Sequence, residues 1–271
     1  METKLNYKRT FLIGLAFLSI CSFWQMYDNI IPLILQNTYH LGETMTGAVM
    51  ALDNVLAIFL LPVFGALSDK VHTKLGRRMP FIVAGTILAV IFMMLLPMID
   101  NAEKARWNTG ESFSNQVIFL AVLFFTLVSM GLYRSPAVAL MPDVTPNHLR
   151  SRANAVINLM GAVGGVYALI MIKVLVGKGE TPDYLPLFAS IAAVMAIAVG
   201  ILVITIRENK LREEVEKAEA ANAGTIEEKA MAEGVEAAGE IEAVGDTGEA
   251  KAFEEKQQTA KTESAKDMPK D

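Results

Sequence analysis

Apolar residues along this chain fall in long unbroken runs, unlike the alternation of strands or the one-sided stripes of soluble helices. Six windows, roughly 11–35, 45–67, 80–99, 117–140, 153–176 and 185–206, reach the length of about 20 mostly apolar residues that a helix needs to cross a hydrocarbon core. The third and sixth, "FIVAGTILAVIFMMLLPMI" and "LPLFASIAAVMAIAVGILVITI", carry no charge. A soluble core could hold one such helix but not six in succession. The pattern predicts an all-α, polytopic membrane bundle of six transmembrane helices over residues 1–206.

Composition then divides the chain. Residues 207–271 hold 10 Lys and Arg against 18 Asp and Glu, whereas residues 1–206 hold 14 against 11, so the acidic balance belongs to the tail. That tail is expected to be cytoplasmic and mostly disordered. "KLREEVEKAEAANAG" extends the last helix for a few turns, and Thr225 with Glu228 resembles a capping box. The remaining Ala, Glu, Gly and Lys supply too little apolar bulk for a core. One cysteine, Cys21, excludes a disulfide framework. The first apolar run follows Lys4, Lys8 and Arg9, but it is too long for a signal peptide and lacks a small-residue cleavage site. It reads as a retained span.

Loop charge predicts the orientation, because cytoplasmic loops keep Lys and Arg. With the N-terminus inside, twelve basic residues flank the inner ends, from Lys4 to Arg212. The outer loops carry Lys104, Arg106 and Lys178, with Lys173 at a span end. Both termini are expected to be cytoplasmic.

Polar residues inside the spans are the candidate chemistry. A charge at the centre of a membrane helix costs roughly 2.5–3.5 kcal/mol, so Asp28, Asp53 and Arg134 facing lipid would together cost on the order of 8–10 kcal/mol. They must face water or one another. Helical spacing groups Cys21, Gln25, Asp28, Asn29, Pro32 and Gln36 on one stripe of span one. Asp53 and Asn54 share a turn of span two, and Thr126, Ser129, Tyr133 and Arg134 mark span four. Asn154, Asn158, Gly161 and Gly165 mark span five. Spans three and six show no such stripe, which predicts two three-helix units. A lone Asn or Ser more often cross-links a bundle, but two acids and an arginine point to function.

The loop "GALSDKVHTKLGRRMP" between spans two and three places Gly65, Asp69, Lys70, Gly76, Arg77 and Arg78 in the pattern G-x-x-S-D-K-x-x-x-x-x-G-R-R-x-P. After span four, "RSPAVALMPDVTPNHLRSRANA" adds Asp143, Arg150 and Arg152. Together they resemble the signature of the major facilitator superfamily. The usual form has its second glycine three residues after the aspartate. The longer spacing here, Asp69 to Gly76, is similar to the sucrose-transporter-like and glycoside-pentoside-hexuronide:cation symporter branches. The resemblance covers about residues 8–206 and implies a 3+3 inverted repeat, one half of a major facilitator fold. It implies secondary transport of a small solute, a sugar or glycoside, by alternating access with protons. It also implies an integral protein of a bacterial cell membrane, partnered by lipid and by a second six-helix half, with residues 207–271 as the loop between halves.

The same resemblance assigns roles. Gly65 and Gly76 would allow a tight turn. Asp69 would sit near a helix N-terminus or an arginine, and Arg77, Arg78, Asp143, Arg150 and Arg152 would form a cytoplasmic gating network with Lys70 beside it. Gln25, Asp28, Asp53, Asn54, Tyr133, Arg134, Asn154 and Asn158 would handle solute and proton, with an acid pairing with Arg134 in the empty state. The sequence departs from the sodium-coupled symporters. Where they carry two acids on helix two, matching on Pro62 and Gly65 gives Ala57 and Leu61. Arg134 stands where they have an acid. Proton coupling fits better than sodium coupling, and no metal or other cofactor is expected.

Intramembrane catalysis fits poorly. His40, His72 and His148 lie in loops, no His-Glu-x-x-His occurs, and Tyr27–Asp28 lacks a Gly-x-Gly-Asp partner. No nucleic-acid partner is implied. A truncated or split fragment without transport of its own, and a solute other than a sugar, stay open.

Overall fold

The computed structural model describes residues 5–71, 73–107, 115–177, 179, 182–217 and 219–220. Among these residues are six long helices: α1 (Tyr7–Asn37), α2 (Glu43–Lys70), α3 (Met79–Trp107), α4 (Gln116–Asp143), α5 (Arg150–Leu175) and α6 (Leu185–Thr205). All six are long and apolar enough to span a membrane. A 3₁₀ turn, Asn147–Leu149, leads into α5, and residues 208–217 are helical again. The described residues up to Glu216 belong to one compact unit. The capping box at Thr225 and the expected disorder of the tail lie outside the described residues.

The packing pattern carries the inverted repeat. Helix α1 packs on α5 and α4 on α2; α4 packs on α3 and α1 on α6; α3 meets α6, and α1 meets α4. Exchanging α1 with α4, α2 with α5 and α3 with α6 maps these pairs onto one another; the smaller α5–α6 contact has no comparable counterpart between α2 and α3. Two three-helix units therefore share one bundle, as the spacing of polar stripes predicts.

Helix α1 is the core element, burying Ile13, Phe23, Tyr27, Ile30, Ile31 and Ile34 along its length. Its closest neighbour is α5. A Cβ at Gly164 would collide with the backbone carbonyl of Leu18, so the two helices meet backbone to backbone. Ser22 Oγ donates to the Gly164 carbonyl at 2.9 Å across that contact. Helix α2 is the opposite case: of its 28 residues, Thr46 and Ser68 alone are buried.

Two sequence expectations need correcting. Span three does not stop at residue 99, and it is not plain. Helix α3 runs on to Trp107 because Asp100, Glu103 and Lys104 are built into the bundle. Asp100 is fully buried, accepting from Thr38 Oγ1 at 2.6 Å and pairing with Lys104 Nζ at 2.6 Å. Lys104 also donates to the Pro182 carbonyl at 2.7 Å and lies over the Tyr184 ring at 4.6 Å. Glu103 accepts the Asn115 backbone N–H at 2.9 Å. Burial and the Asp100 charge push the Tyr184 phenol up, and the same causes with Glu103 push up Tyr39. A hydropathy window counts each of these charges against the helix because it cannot see that Asp100 pairs with Lys104 and that Glu103 accepts a backbone N–H.

Candidate functional site

Among the described residues, two cavities flank α1. The larger, about 440 Å³, runs between α1 and α5 and is lined by Cys21, Gln25 and Asp28 from α1 and Asn158 from α5, with Phe17 and Leu169 among its apolar walls. The smaller, about 20 Å³, lies between α1, α2 and α4 and is lined by Asp53, Arg134 and Gly131. Trp24 lines both. Asp28 makes no ion pair or hydrogen bond among the described residues. Asp53 accepts from Asn54 Nδ2 at 2.9 Å.

Arg134 does not pair with either acid. Its guanidinium carbon sits 5.5 Å from the centre of the Trp24 ring, a cation–π contact on the wall between the two cavities. The ion pair expected of the empty state is thus replaced by an aromatic partner. Tyr133 is fully buried and faces away from both cavities. Its hydroxyl shares a 2.7 Å hydrogen bond with Ser19 Oγ and donates to the Ala16 carbonyl at 3.1 Å, so it joins α4 to α1. One residue apart on a helix means about 100° of rotation, which separates Tyr133 from Arg134. Asn154 is exposed and outside the groove. Asn29 donates to its own helix, at the Gln25 carbonyl.

The second constellation is the charge network at the α2–α3 loop. Arg78 is 7% exposed; it pairs with Asp69 at 2.6 Å and Asp143 at 3.0 Å and donates to the Gly65 carbonyl at 3.2 Å. Arg77 pairs with Asp143 at 2.8 Å and Asp69 at 3.5 Å. Burial works against the Arg77 charge, but Asp143, Asp69 and Glu208 outweigh it and raise its pKa. Arg150 stands apart. It donates to the carbonyls of Thr145 and Pro142, closing the end of α4. Arg152 is exposed and makes no ion pair among the described residues, and Lys70 is exposed at the end of α2.

Glu208 is the member that sequence reasoning missed. It is fully buried and accepts the backbone N–H groups of Arg77 at 2.9 Å, Arg78 at 3.0 Å and Met79 at 3.1 Å. Those are orphan donors at the start of α3, where a carboxylate is also favoured by the helix dipole. Asp69 therefore has the arginines, and Glu208 has the helix N-terminus. Gly76 completes the turn at φ +128°, and a Cβ there would strike the Glu208 carboxylate. The sequence signal for Glu208 is faint: an acid two residues past an apolar run, otherwise read as the start of the tail.

Six apolar helices around a partly polar groove, with an ionic network closing one loop, make up a polytopic membrane bundle. Among the described residues no three His, Cys, Asp or Glu side chains converge on a metal-sized site. The profile of the Major Facilitator Superfamily matches residues 7–249, and the chain belongs to that superfamily. It is similar to the sucrose transport protein SUT3 of Oryza sativa subsp. japonica, 26% identical over 137 residues, covering 48% of this chain and 27% of that protein. It is also similar to the sucrose transport protein SUC4 of Arabidopsis thaliana, 35% identical over 116 residues, covering 40% of this chain and 22% of that protein. Aligned residues thus span about a quarter of the length of these relatives. Both are plant proteins, and the expectation of a bacterial membrane has no support among them.

Proposed function

We propose that this chain is one half of a secondary transporter that moves a neutral sugar or glycoside with protons by alternating access. The observation that carries this reading is that, among the described residues, Asp28, Asp53 and Arg134 line cavities of a membrane bundle without an ion-pair partner. Charge left uncompensated there is costly unless it serves a ligand or a proton. The likeness to sucrose transport proteins favours a sugar. Gln25, Asp28 and Asn158 offer the hydrogen-bonding groups a polyol needs, beside an apolar wall for its ring faces. On this reading Asp28 or Asp53 exchanges a proton during the cycle, with Asn54 holding Asp53. Asp69, Arg77, Arg78 and Asp143 make and break as the inner gate, turning on Gly65 and Gly76. Both termini lie in the cytoplasm, and a second six-helix half completes the cleft within the bilayer.

The test is uptake of a labelled neutral disaccharide into proteoliposomes holding the chain with a second half, under an inward proton gradient. Accumulation that collapses when the gradient is dissipated, and is lost in Asp28→Asn, Asp53→Asn and Arg134→Met, is the expected result. Full gradient-driven uptake by all three neutral variants would overturn the assignment. The sparse burial of α2 favours a second reading, a half with no transport of its own, which uptake by the chain alone would exclude.

A further inference from the structure

We propose that Trp24 is a positioning residue: its indole is the partition that holds Arg134 off Asp28. Four observations meet at this side chain. It is the residue common to both cavities, with Asp28 lining only the α1–α5 groove and Arg134 lining only the α1–α2–α4 cavity. The Arg134 guanidinium lies 5.5 Å from the ring centre and has no ion pair among the described residues. The ring is fixed edge to face by Phe23 and Tyr27, each with centroids 5.4 Å away. Its Nε1–H is buried and has no hydrogen-bond partner.

These features give the contact two properties. An aromatic face neutralises none of the guanidinium's charge, so Arg134 stays an ion in search of a carboxylate. The orphan indole N–H means that the ring is held by its neighbours' faces alone and gains a bond by leaving or by meeting a hydroxyl. The charged and titratable groups around it are Cys21, Tyr27 and Asp28 on α1, Asp53 on α2 and Arg134 on α4, while α5 presents the neutral Asn158. Asp53 lines Arg134's own cavity, and the carboxylate lining the cavity beyond the partition is Asp28. Resting on the function proposed above, a solute ring that takes the indole's place against the groove releases Arg134 to Asp28, which links solute binding to proton exchange.

The partition can be tested without any solute, so its failure is separable from failure of the transport reading. Cys21, the single cysteine, lines the groove and reports its charge. The readout is the ratio of its reaction rates with an anionic (sulfonatoethyl) and a cationic (trimethylammonioethyl) methanethiosulfonate, measured on the full chain in liposomes. One positive charge arriving within a few ångströms is expected to raise that ratio about fivefold in Trp24→Ala. Trp24→Phe, which keeps an aromatic face, is expected to match the native chain, and Trp24→Ala/Arg134→Met to return to it. Trp24→Leu replaces the alanine variant if the latter does not fold. Asn158→Cys in a Cys21→Ser background gives the same ratio where the native thiol reacts slowly. A ratio unchanged by Trp24→Ala or Trp24→Leu, or a Phe variant that behaves like the Leu variant, would overturn the proposal.

Discussion

The Glu208 carboxylate accepts the backbone N–H of Arg78 on both of its oxygens, each at 3.0 Å. The segment that follows the last span thereby closes the first turn of α3, on which the arginine network is mounted. Sequence neighbours do not supply this cap; a residue 130 positions away does.

Loss of that cap leaves backbone donors without partners in a water-poor site. Glu208→Ala is expected to destabilise the chain by about 2–3 kcal/mol, and Glu208→Gln, which keeps an acceptor, by about 1 kcal/mol. Thermal unfolding in detergent checks the ranking, and faster amide exchange at residues 77–79 places the damage. A native melting curve for the alanine variant would remove Glu208 from the account.

Gly76 tests the same turn from the other side. Gly76→Ala must accept a left-handed backbone conformation and displace Glu208, at an expected cost of more than about 2 kcal/mol. Because part of that cost is the collision, Gly76→Ala with Glu208→Ala is expected to cost less than the sum of the two single changes. Simple additivity in a melting series would show that backbone strain acts alone.

Within the network, distance and burial rank the two acids differently. Asp69 is nearer to Arg78, at 2.6 Å against 3.0 Å for Asp143, but Asp69 is 48% exposed and Asp143 18%. Water screens the exposed pair, so burial is expected to win. Asp143→Asn should cost about 3 kcal/mol and Asp69→Asn about 1 kcal/mol or less. A double-mutant cycle of each acid with Arg78 measures the two couplings directly.

Tyr39 gives a signature at alkaline pH. Its buried hydroxyl has no partner among the described residues, and burial, then Asp100 and Glu103, hold its pKa above the ordinary tyrosine value. The unfolded chain ionises Tyr39 near about pH 10. Its contribution to stability is therefore complete below that pH and is lost as pH rises toward the folded pKa. Tyr39→Phe cannot titrate and should show a flatter alkaline limb in melting curves between about pH 8 and about pH 12. At neutral pH it should be at least as stable as the native chain, since an unpartnered buried hydroxyl costs about 1–3 kcal/mol.

The spans were legible because charge-free runs such as 185–206 admit one reading in water and lipid alike. The end of α3 was not, because Asp100 and Lys104 cancel only once the chain is folded. Resemblance to the superfamily signature marked Asp69, Arg77, Arg78 and Asp143, and the four meet. It could not separate them from Arg150, whose donors turn back onto the end of its preceding helix. The stripe on α4 was visible, but periodicity assigns a face without naming its neighbour. Tyr133 and Arg134 both meet α1, the first at Ala16 and Ser19 and the second at Trp24. Glu208 was hidden because its partners are backbone groups, which leave no trace in side-chain patterns.

The central claim is that the face bearing Cys21, Asp28 and Asn158 is wet within the bilayer, and Cys21 tests it. A thiol in hydrocarbon stays protonated and inert, whereas one in a water-filled groove reacts. In lipid vesicles, a charged, membrane-impermeant thiol reagent is expected to modify Cys21 at least about tenfold faster than the control Cys21→Ser/Ile197→Cys, whose thiol replaces an exposed apolar residue of α6. Equal, slow rates at the two positions would contradict the account.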